Sequence, residues 1–201
     1  MIAGLDVSRE TMDRLEHYLG MLEKWNPAIN LVSKATLKDA WDRHFVDSAQ
    51  IYASAPDGWT HWADFGSGGG FPGAVIAVIA AEKNPDAKVT LVESDKRKSA
   101  FLRSVLRETG VSATVLSSRI EEIEPLQADV ISARALAELS QLLAFAQLHG
   151  TEKTTCLFPK GATWEKELLQ AQESWKFDHD SLRSETDPKA IILRIGGLCR
   201  G

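Results

Sequence analysis

A chain of 201 residues suits a single domain with at most a small appendage. Hydrophobic residues make up 44% of the chain and charged residues 25%, which excludes a disordered or low-complexity protein. The 28 acidic residues outnumber the 23 basic ones and give a formal net charge of −5. This balance argues against a broad cationic surface for nucleic acid and leaves room for a local basic patch.

The composition is typical of a cytoplasmic protein. No apolar run reaches the roughly 18 residues needed to span a membrane. The start of the chain lacks the basic and apolar regions of a signal peptide, so we expect none. Cys156 and Cys199 lack the spacing of a metal site, and two free thiols are favoured over a disulfide. We therefore expect no metal.

Helices are predicted for the first part of the chain. Apolar side chains recur at spacings of four and three residues from Leu15 to Trp25, which indicates an amphipathic helix. Ser8 is a plausible start for this helix, and Asn26-Pro27 is expected to end it. A second helix is expected over about 38–55, before a Pro-Asp-Gly break.

Strands and helices alternate through the remainder, so we divide the chain into an N-terminal helical extension (1–57) and one compact α/β core (58–201). The predicted strands cover 59–65, 88–93, 113–116, 128–132, 154–159, 174–182 and 190–195. The predicted helices cover 73–81, 96–109, 136–148 and 164–172. This alternation is typical of a Rossmann-like, mostly parallel sheet with helices on both faces. Such sheets bind ligands at the carboxyl ends of their strands.

A glycine-rich turn over 64–73 follows the first strand and is the strongest functional signal. Glycine allows positive φ and lets a ligand approach the bare backbone. Gly68-x-Gly70-x-x-Gly73 matches the dinucleotide fingerprint, and Glu93 follows Gly73 by 20 residues, where a ribose-binding acid would lie. A dinucleotide site is therefore one interpretation.

S-Adenosylmethionine is the interpretation we favour for the same turn. A dinucleotide needs the turn and the helix amino end to hold a pyrophosphate. S-Adenosylmethionine has no phosphate and carries an ammonium and a sulfonium, which suits a carboxylate such as Asp64, two residues before Gly66. The cofactor contacts expected here include Asp64, Gly66, Gly68 and Glu93. A purely structural turn stays as the third alternative.

Three residues are expected to contact the adenosine part of the cofactor. Glu93 ends the second strand, where its carboxylate can accept hydrogen bonds from both ribose hydroxyls. A helix cap or an ion pair is the alternative for Glu93. Ile120 and Glu121 lie in the loop after the third strand and are expected at the adenine, unless this is an ordinary loop.

Other polar residues are candidates for the substrate side of the pocket. His44, Asp47 and Ser48 share one face of the second predicted helix, either at the pocket entrance or in hydrogen bonds between helices. A hydrolase triad is rejected, because one helix carries all three and no Gly-x-Ser-x-Gly turn holds the serine. Arg134 follows the fourth strand and Lys160 the fifth. A structural ion pair is the alternative for Arg134, and a solvated side chain for Lys160.

Together these motifs resemble a family, the bacterial small-subunit ribosomal RNA methyltransferases known as glucose-inhibited division protein B. The resemblance extends from about residue 21 to the last predicted strand. The residues that carry it are His44-x-x-Asp47-Ser48, the turn 64–73, Glu93-Ser94 with Lys98 and Phe101-Leu102, Ser118-Arg119, Ser132-x-Arg134-Ala135 and Lys160-Gly161.

The resemblance implies a class I S-adenosylmethionine-dependent methyltransferase fold and methyl transfer to nitrogen 7 of one guanine in 16S ribosomal RNA, in a small-subunit context. It indicates neither a protein partner nor a membrane. By position, the cofactor contacts of the family fall on Gly66, Phe71, Ile120, Glu121 and Arg134. Gly69-Gly70 stands where relatives often have Ala or Pro, which we expect to change loop stiffness and not chemistry.

The implied reaction needs no general base, because nitrogen 7 of guanine carries a lone pair and no hydrogen. We therefore expect no catalytic side chain, and we expect Arg134 to orient the cofactor carboxylate or an rRNA phosphate. Two other functions remain open on the sequence alone. One is a non-catalytic RNA-binding or assembly factor, and the other is a small-molecule methyltransferase.

Overall fold

A seven-stranded sheet forms the centre of the computed structural model, which describes residues 1–200. Its strands are β1 His61–Phe65, β2 Lys88–Val92, β3 Thr114–Leu116, β4 Ala128–Ala133, β5 Gly150–Lys160, β6 Trp175–Arg183 and β7 Ile191–Arg200. The α-helices are α1 Arg9–Ile29, α2 Lys34–Leu37, α3 Asp47–Ala53, α4 Gly73–Lys83, α5 Lys96–Thr109, α6 Leu139–His149 and α7 Trp164–Gln172. No helix of this described part is both long and apolar enough to cross a membrane.

The strand order is β3-β2-β1-β4-β5-β7-β6. The first five of these pair in parallel, and β7 pairs antiparallel with both β5 and β6. The prediction of a mostly parallel sheet with a closing pair of strands is therefore confirmed. The strand order reverses between β1 and β4, which is the point where such sheets bind their ligands.

The register of the strands brings the predicted site residues together. Phe65 at the end of β1 is the partner of Val92 in β2 and of Ala133 in β4. The residues that follow these three, Gly66, Glu93 and Arg134, consequently leave the sheet side by side. This register explains why three motifs that are far apart in sequence lie at the same edge of the sheet.

The prediction that Asn26-Pro27 ends the first helix is wrong. Helix α1 begins after the cap Ser8, as expected, but it continues through Pro27 to Ile29. A proline this close to the end removes only one hydrogen bond, and the buried face of the helix offsets that loss. Asn26 is buried, and its Oδ1 accepts a hydrogen bond from the Val32 N–H at 2.9 Å, which directs the chain away from the helix.

The second predicted helix, over 38–55, is divided in the structure. The structure has the short helix α2 first, then a π-helical segment, Trp41–Val46, and then α3, which follows that segment directly. A π-helical turn is rare and often occurs at a functional site. His44 lies within this turn, and Asp47 is the first residue of α3.

The N-terminal helices share a hydrophobic core with one face of the sheet. One cluster of buried residues contains Tyr18 and Leu22 of α1 together with residues of α3, α4 and α5. Helix α4 is buried throughout Gly73–Ala80 because it lies between these helices and the sheet. A second cluster joins α6 and α7 to the opposite face. The division at residue 57 stays a prediction.

Candidate functional site

Two cavities lie at the carboxyl ends of the strands. The first cavity, of about 360 Å³, has Gly66, Gly68, Glu93, Ile120, Glu121 and Leu136 among its lining residues. The second cavity, of about 390 Å³, is lined by His44, Asp47, Arg134, Lys160, Glu167 and Asp187, among others. Ala135 and Ala137 line both, so the two cavities are neighbours.

The glycines of the turn have two different functions in the structure. Gly66 and Gly68 line the first cavity with φ of 63° and 55°, a conformation that glycine adopts readily, and a Cβ on Gly66 would lie 2.7 Å from Leu136 Cδ1. A Cβ on Gly70 would overlap the Tyr18 hydroxyl, and one on Gly73 would lie 2.5 Å from the Cβ of Asp64. The later glycines of the turn therefore serve packing against the protein.

Asp64 lies behind the turn and is fully buried. Its Oδ1 accepts a hydrogen bond from the Ser132 hydroxyl at 2.7 Å, and Ser132 Oγ accepts one from Trp62 Nε1 at 2.9 Å. Among the described residues, Asp64 Oδ2 has no hydrogen-bond partner. Burial raises the pKa of Asp64 to about 6, and the hydrogen bond from Ser132 partly opposes this rise. Asp64 thus lines neither cavity, and its contact with a cofactor stays a prediction.

The position of Asp64 disfavours the dinucleotide interpretation. Its carboxyl group lies next to Gly73, the first residue of α4, where a pyrophosphate would have to bind the helix amino end. A buried carboxyl group at that place would repel two phosphates. Gly70 and Gly73, which complete the dinucleotide fingerprint, are also covered by protein.

Glu93 ties the second strand to the glycine turn. Its Oε2 accepts a hydrogen bond from the Gly68 N–H at 2.8 Å, and its Oε1 accepts one from the Asp95 N–H at 2.7 Å. The cap of α5 is Asp95, which accepts hydrogen bonds from two backbone N–H groups of the first turn. Glu93 is therefore not the helix cap. Its carboxylate lies at the first cavity with lone pairs still available for a ligand.

Ile120 and Glu121 lie in a short 3₁₀ turn that forms one wall of the first cavity. Ile120 is buried, as expected of an apolar wall. The ring of His149 donates through Nε2 to the Ile120 carbonyl at 2.9 Å, because a carbonyl can only accept. Sequence reasoning missed His149, whose partner is 29 residues away in the chain.

Arg134 is held by the N-terminal helices. Its Nη2 lies 2.9 Å from His44 Nδ1, and its Nη1 lies 3.5 Å from Asp47 Oδ2 and 3.2 Å from the Arg43 carbonyl. Its guanidinium also lies over the Phe71 ring, 5.3 Å from the centroid. The ion pair that the sequence left open for Arg134 is thus present. A contact with the cofactor stays a prediction.

His44 is a neutral acceptor in this network. Arginine can only donate, so His44 Nδ1 accepts from Arg134, and Nε2 donates to Thr36 Oγ1 at 3.0 Å. Burial, reinforced by the charges of Arg134 and Arg43, lowers the pKa of His44 to about 3. The side chain is therefore uncharged at neutral pH.

Phe71 and Ser48 lie away from the cavity surfaces. The Phe71 ring is buried, stacked 4.8 Å from His44 and 5.5 Å from Tyr18. Ser48 is buried and donates to the carbonyl of His44 at 2.5 Å. Phe71 supports the residues of the second cavity from beneath, and Ser48 belongs to the hydrogen bonding of the helix. Direct ligand contacts by these two residues stay predictions.

Three ion pairs surround the second cavity. Besides Arg134 with Asp47, Lys160 pairs with Glu167 at 2.7 Å, and Arg43 pairs with Asp187 at 3.0 Å. Only 9% of the Lys160 side chain is exposed, so it is not the solvated lysine that the sequence left open. The acidic partners Glu167 and Asp187 were not foreseen, since their cations are 7 and 144 residues away in the chain.

Comparisons with known proteins identify a family. The family model described as "GidB: rRNA small subunit methyltransferase G" matches residues 11–189. A protein of that name from Ruegeria pomeroyi is 52% identical over 196 residues, which cover 98% of this chain and 96% of that protein.

Solved structures of methyltransferases share the fold. A ribosomal protein L11 methylase from Lactobacillus delbrueckii subsp. bulgaricus has a TM-score of 0.60 at 19% identity, covering 77% of this chain and 78% of that one. A SAM-dependent methyltransferase from Aquifex aeolicus has a TM-score of 0.62 at 12% identity, covering 88% and 97%. The architecture is therefore that of class I methyltransferases.

Proposed function

Because the chain belongs to the rRNA small subunit methyltransferase G family, we propose that it methylates nitrogen 7 of a guanine in 16S ribosomal RNA. The methyl donor is S-adenosylmethionine, and the enzyme is a methyltransferase of the Rossmann-like class. We further propose that the substrate is rRNA within the small ribosomal subunit and that the reaction takes place in the cytoplasm. The single observation that carries the site assignment is the meeting of two cavities at Ala135 and Ala137, at the carboxyl ends of the strands.

The first cavity fits S-adenosylmethionine. Gly66 and Gly68 offer backbone without side chains, Glu93 offers a carboxylate for the ribose hydroxyls, and Ile120 offers an apolar wall for the adenine. Nothing at this cavity resembles a pyrophosphate site, since a buried carboxyl group occupies the region of the α4 amino end. When bound, S-adenosylmethionine supplies a methyl group on a positively charged sulfur.

The second cavity suits a base that is neutral before the reaction and cationic after it. Each of its three cations has a carboxylate partner within 3.5 Å, and the pKa of His44, lowered to about 3, leaves that side chain uncharged. The walls thus carry no uncompensated positive charge against the methylated product. Their donors and acceptors remain able to orient a base.

No side chain has to remove a proton in this reaction, because nitrogen 7 attacks with its own lone pair. The residues around the second cavity would instead align the base with the methyl group. His44 accepts a hydrogen bond from Arg134 and donates to Thr36, so both ring nitrogens have partners within the protein. This arrangement favours a role in shaping the cavity.

A radiolabelled methyl-transfer assay tests the proposal. Purified protein and labelled S-adenosylmethionine would be incubated with small ribosomal subunits, naked 16S rRNA, or a pool of metabolites, and labelled RNA would be digested to nucleosides. We expect label in 7-methylguanosine. Cofactor binding without any transfer would indicate a non-catalytic RNA-binding factor. Label confined to metabolites would indicate a small-molecule methyltransferase.

A further inference from the structure

A short segment of the chain lies between the two cavities and forms part of the wall of each. Residues 134–138 join β4 to α6, and within this segment Ala135 and Ala137 line both cavities. Ala135 has a φ of 51°, a left-handed conformation that is unfavourable for alanine. Such a conformation persists only where the surrounding contacts hold it.

Leu136 lies at the centre of this segment and faces the glycine turn. Its Cδ1 is 2.7 Å from the position that a Cβ on Gly66 would take. The leucine side chain therefore rests on the same bare backbone that a cofactor would approach. Any shift of the segment would change both the room for the cofactor and the opening toward the acceptor.

The segment is held from its two ends. At the first end, Arg134 is bound to the N-terminal helices, as described above. At the second end, Lys160 Nζ donates to the Ala137 carbonyl at 3.2 Å and pairs with Glu167 Oε2 at 2.7 Å. The same Glu167 oxygen accepts a hydrogen bond from the N–H of Leu139, the first residue of α6, at 3.2 Å.

We propose that Lys160 and Glu167 are positioning residues for methyl transfer, which act by holding the segment 134–138 between the cofactor and the acceptor base. This inference rests on the proposed function. Lys160 has its charge compensated by Glu167 and a second donor engaged by Ala137, and its side chain is largely buried. An rRNA phosphate would have to compete with both partners. The pair thus serves the protein and not the nucleic acid.

The expected consequence is kinetic. Transfer requires the methyl group and the attacking nitrogen to be aligned, and a displacement of about 1 Å can cost on the order of 100-fold in rate. Loss of either partner should therefore lower kcat, while KM for the small subunit and the salt dependence of rRNA binding stay close to those of the unaltered protein. A lysine that bound phosphate directly would do the opposite.

Four variants separate these cases. Lys160→Met and Glu167→Gln should each lower kcat by about 10–100-fold. Lys160→Arg, which keeps a charge and donors, should retain most of the activity. Glu165→Gln removes an exposed carboxylate from the same helix and should behave like the unaltered protein. Thermal midpoints and cofactor titrations of each variant establish that it is folded and binds S-adenosylmethionine.

The combined readout can overturn the inference. Lys160→Met with a raised KM, a smaller salt slope and normal kcat, beside a fully active Glu167→Gln, would assign Lys160 to phosphate. Full activity in both variants would also refute the positioning role, and if Lys160→Met failed to fold, Glu167→Gln alone would decide. Absence of transfer by the unaltered protein would instead refute the proposed function.

Discussion

Replacing Asp64 by asparagine should change how stability depends on pH. Asp64 is fully buried and has one oxygen without a partner, and its pKa is raised from 3.8 to about 6 chiefly by burial. Asparagine has the same shape, carries no charge and can still accept the hydrogen bond of Ser132. The variant therefore isolates the cost of ionising this one group inside the fold.

The sign and size follow from linkage between protonation and folding. Between pH 3.8 and about 6 the unfolded chain releases the Asp64 proton while the folded chain retains it, so the free energy of unfolding falls as pH rises. The contribution of protonated Asp64 to the free energy of unfolding is complete below pH 3.8 and is lost above about pH 6. A difference of about two pKa units corresponds to about 3 kcal/mol.

Urea unfolding at several values from pH 4 to pH 7, followed by tryptophan fluorescence, measures the effect. The stability of Asp64→Asn minus that of the unaltered protein should rise by about 2.4 kcal/mol across this range, because part of the total change already falls below pH 4. Asp57→Asn, at an exposed turn, controls for the simple loss of a carboxylate. A constant difference between Asp64→Asn and the unaltered protein would refute the assignment of a buried acid with a raised pKa beneath the turn.

Three other variants test the site. Gly66→Ala should lower the affinity for S-adenosylmethionine at least about tenfold, because positive φ and a close neighbour oppose a Cβ there, whereas Gly20→Ala should titrate normally in a calorimeter. Glu93→Ala should weaken cofactor binding by about 1.5–3 kcal/mol. Unchanged affinity would mean that Glu93 only connects the second strand to the glycine turn by its hydrogen bond from the Gly68 N–H. Arg134→Lys should lose activity and also about 2 kcal/mol of stability, roughly 4–8 °C in Tm, because lysine cannot replace its several contacts. An unchanged Tm would contradict that role. Since the pKa of His44 is lowered to about 3, the transfer rate constant should show no step from this group between pH 5 and 8. A step near pH 6.5 that His44→Ala abolished would contradict this.

Most of the sheet could be predicted from the sequence, because its strands are short apolar runs bounded by turns. The N-terminal helices were less predictable. The proline in α1 marks a local preference, which the buried contacts of Tyr18 and Leu22 override. The π-helical turn at Trp41–Val46 has no local sequence pattern that distinguishes it from an ordinary helix. Tertiary packing decides such cases.

The site was predictable where its signal is local and unpredictable where it depends on distant contacts. Gly66 and Glu93 follow strands that are neighbours in the sheet, so their convergence could be expected. The partner of Lys160 lies on the next helix, and Leu136 reaches the glycine turn from another strand end. Neither contact has a spacing that sequence reasoning could have used. Arg134 had two possible roles, and only the fold shows that its ion pair exists.

Under the proposed function, the paired charges of the second cavity are compatible with an RNA substrate although the chain has more acids than bases. Unpaired cations there would oppose the positive charge that methylation creates, and unpaired carboxylates would repel the phosphates beside the base. Ion pairs avoid both effects and still present directional hydrogen bonds. Under the proposed function, we expect affinity for rRNA to arise outside the cavities. Exposed cations of α5, such as Lys96, Arg97 and Arg103, are candidates, because the helix begins at the rim of the first cavity, where Lys98 lies.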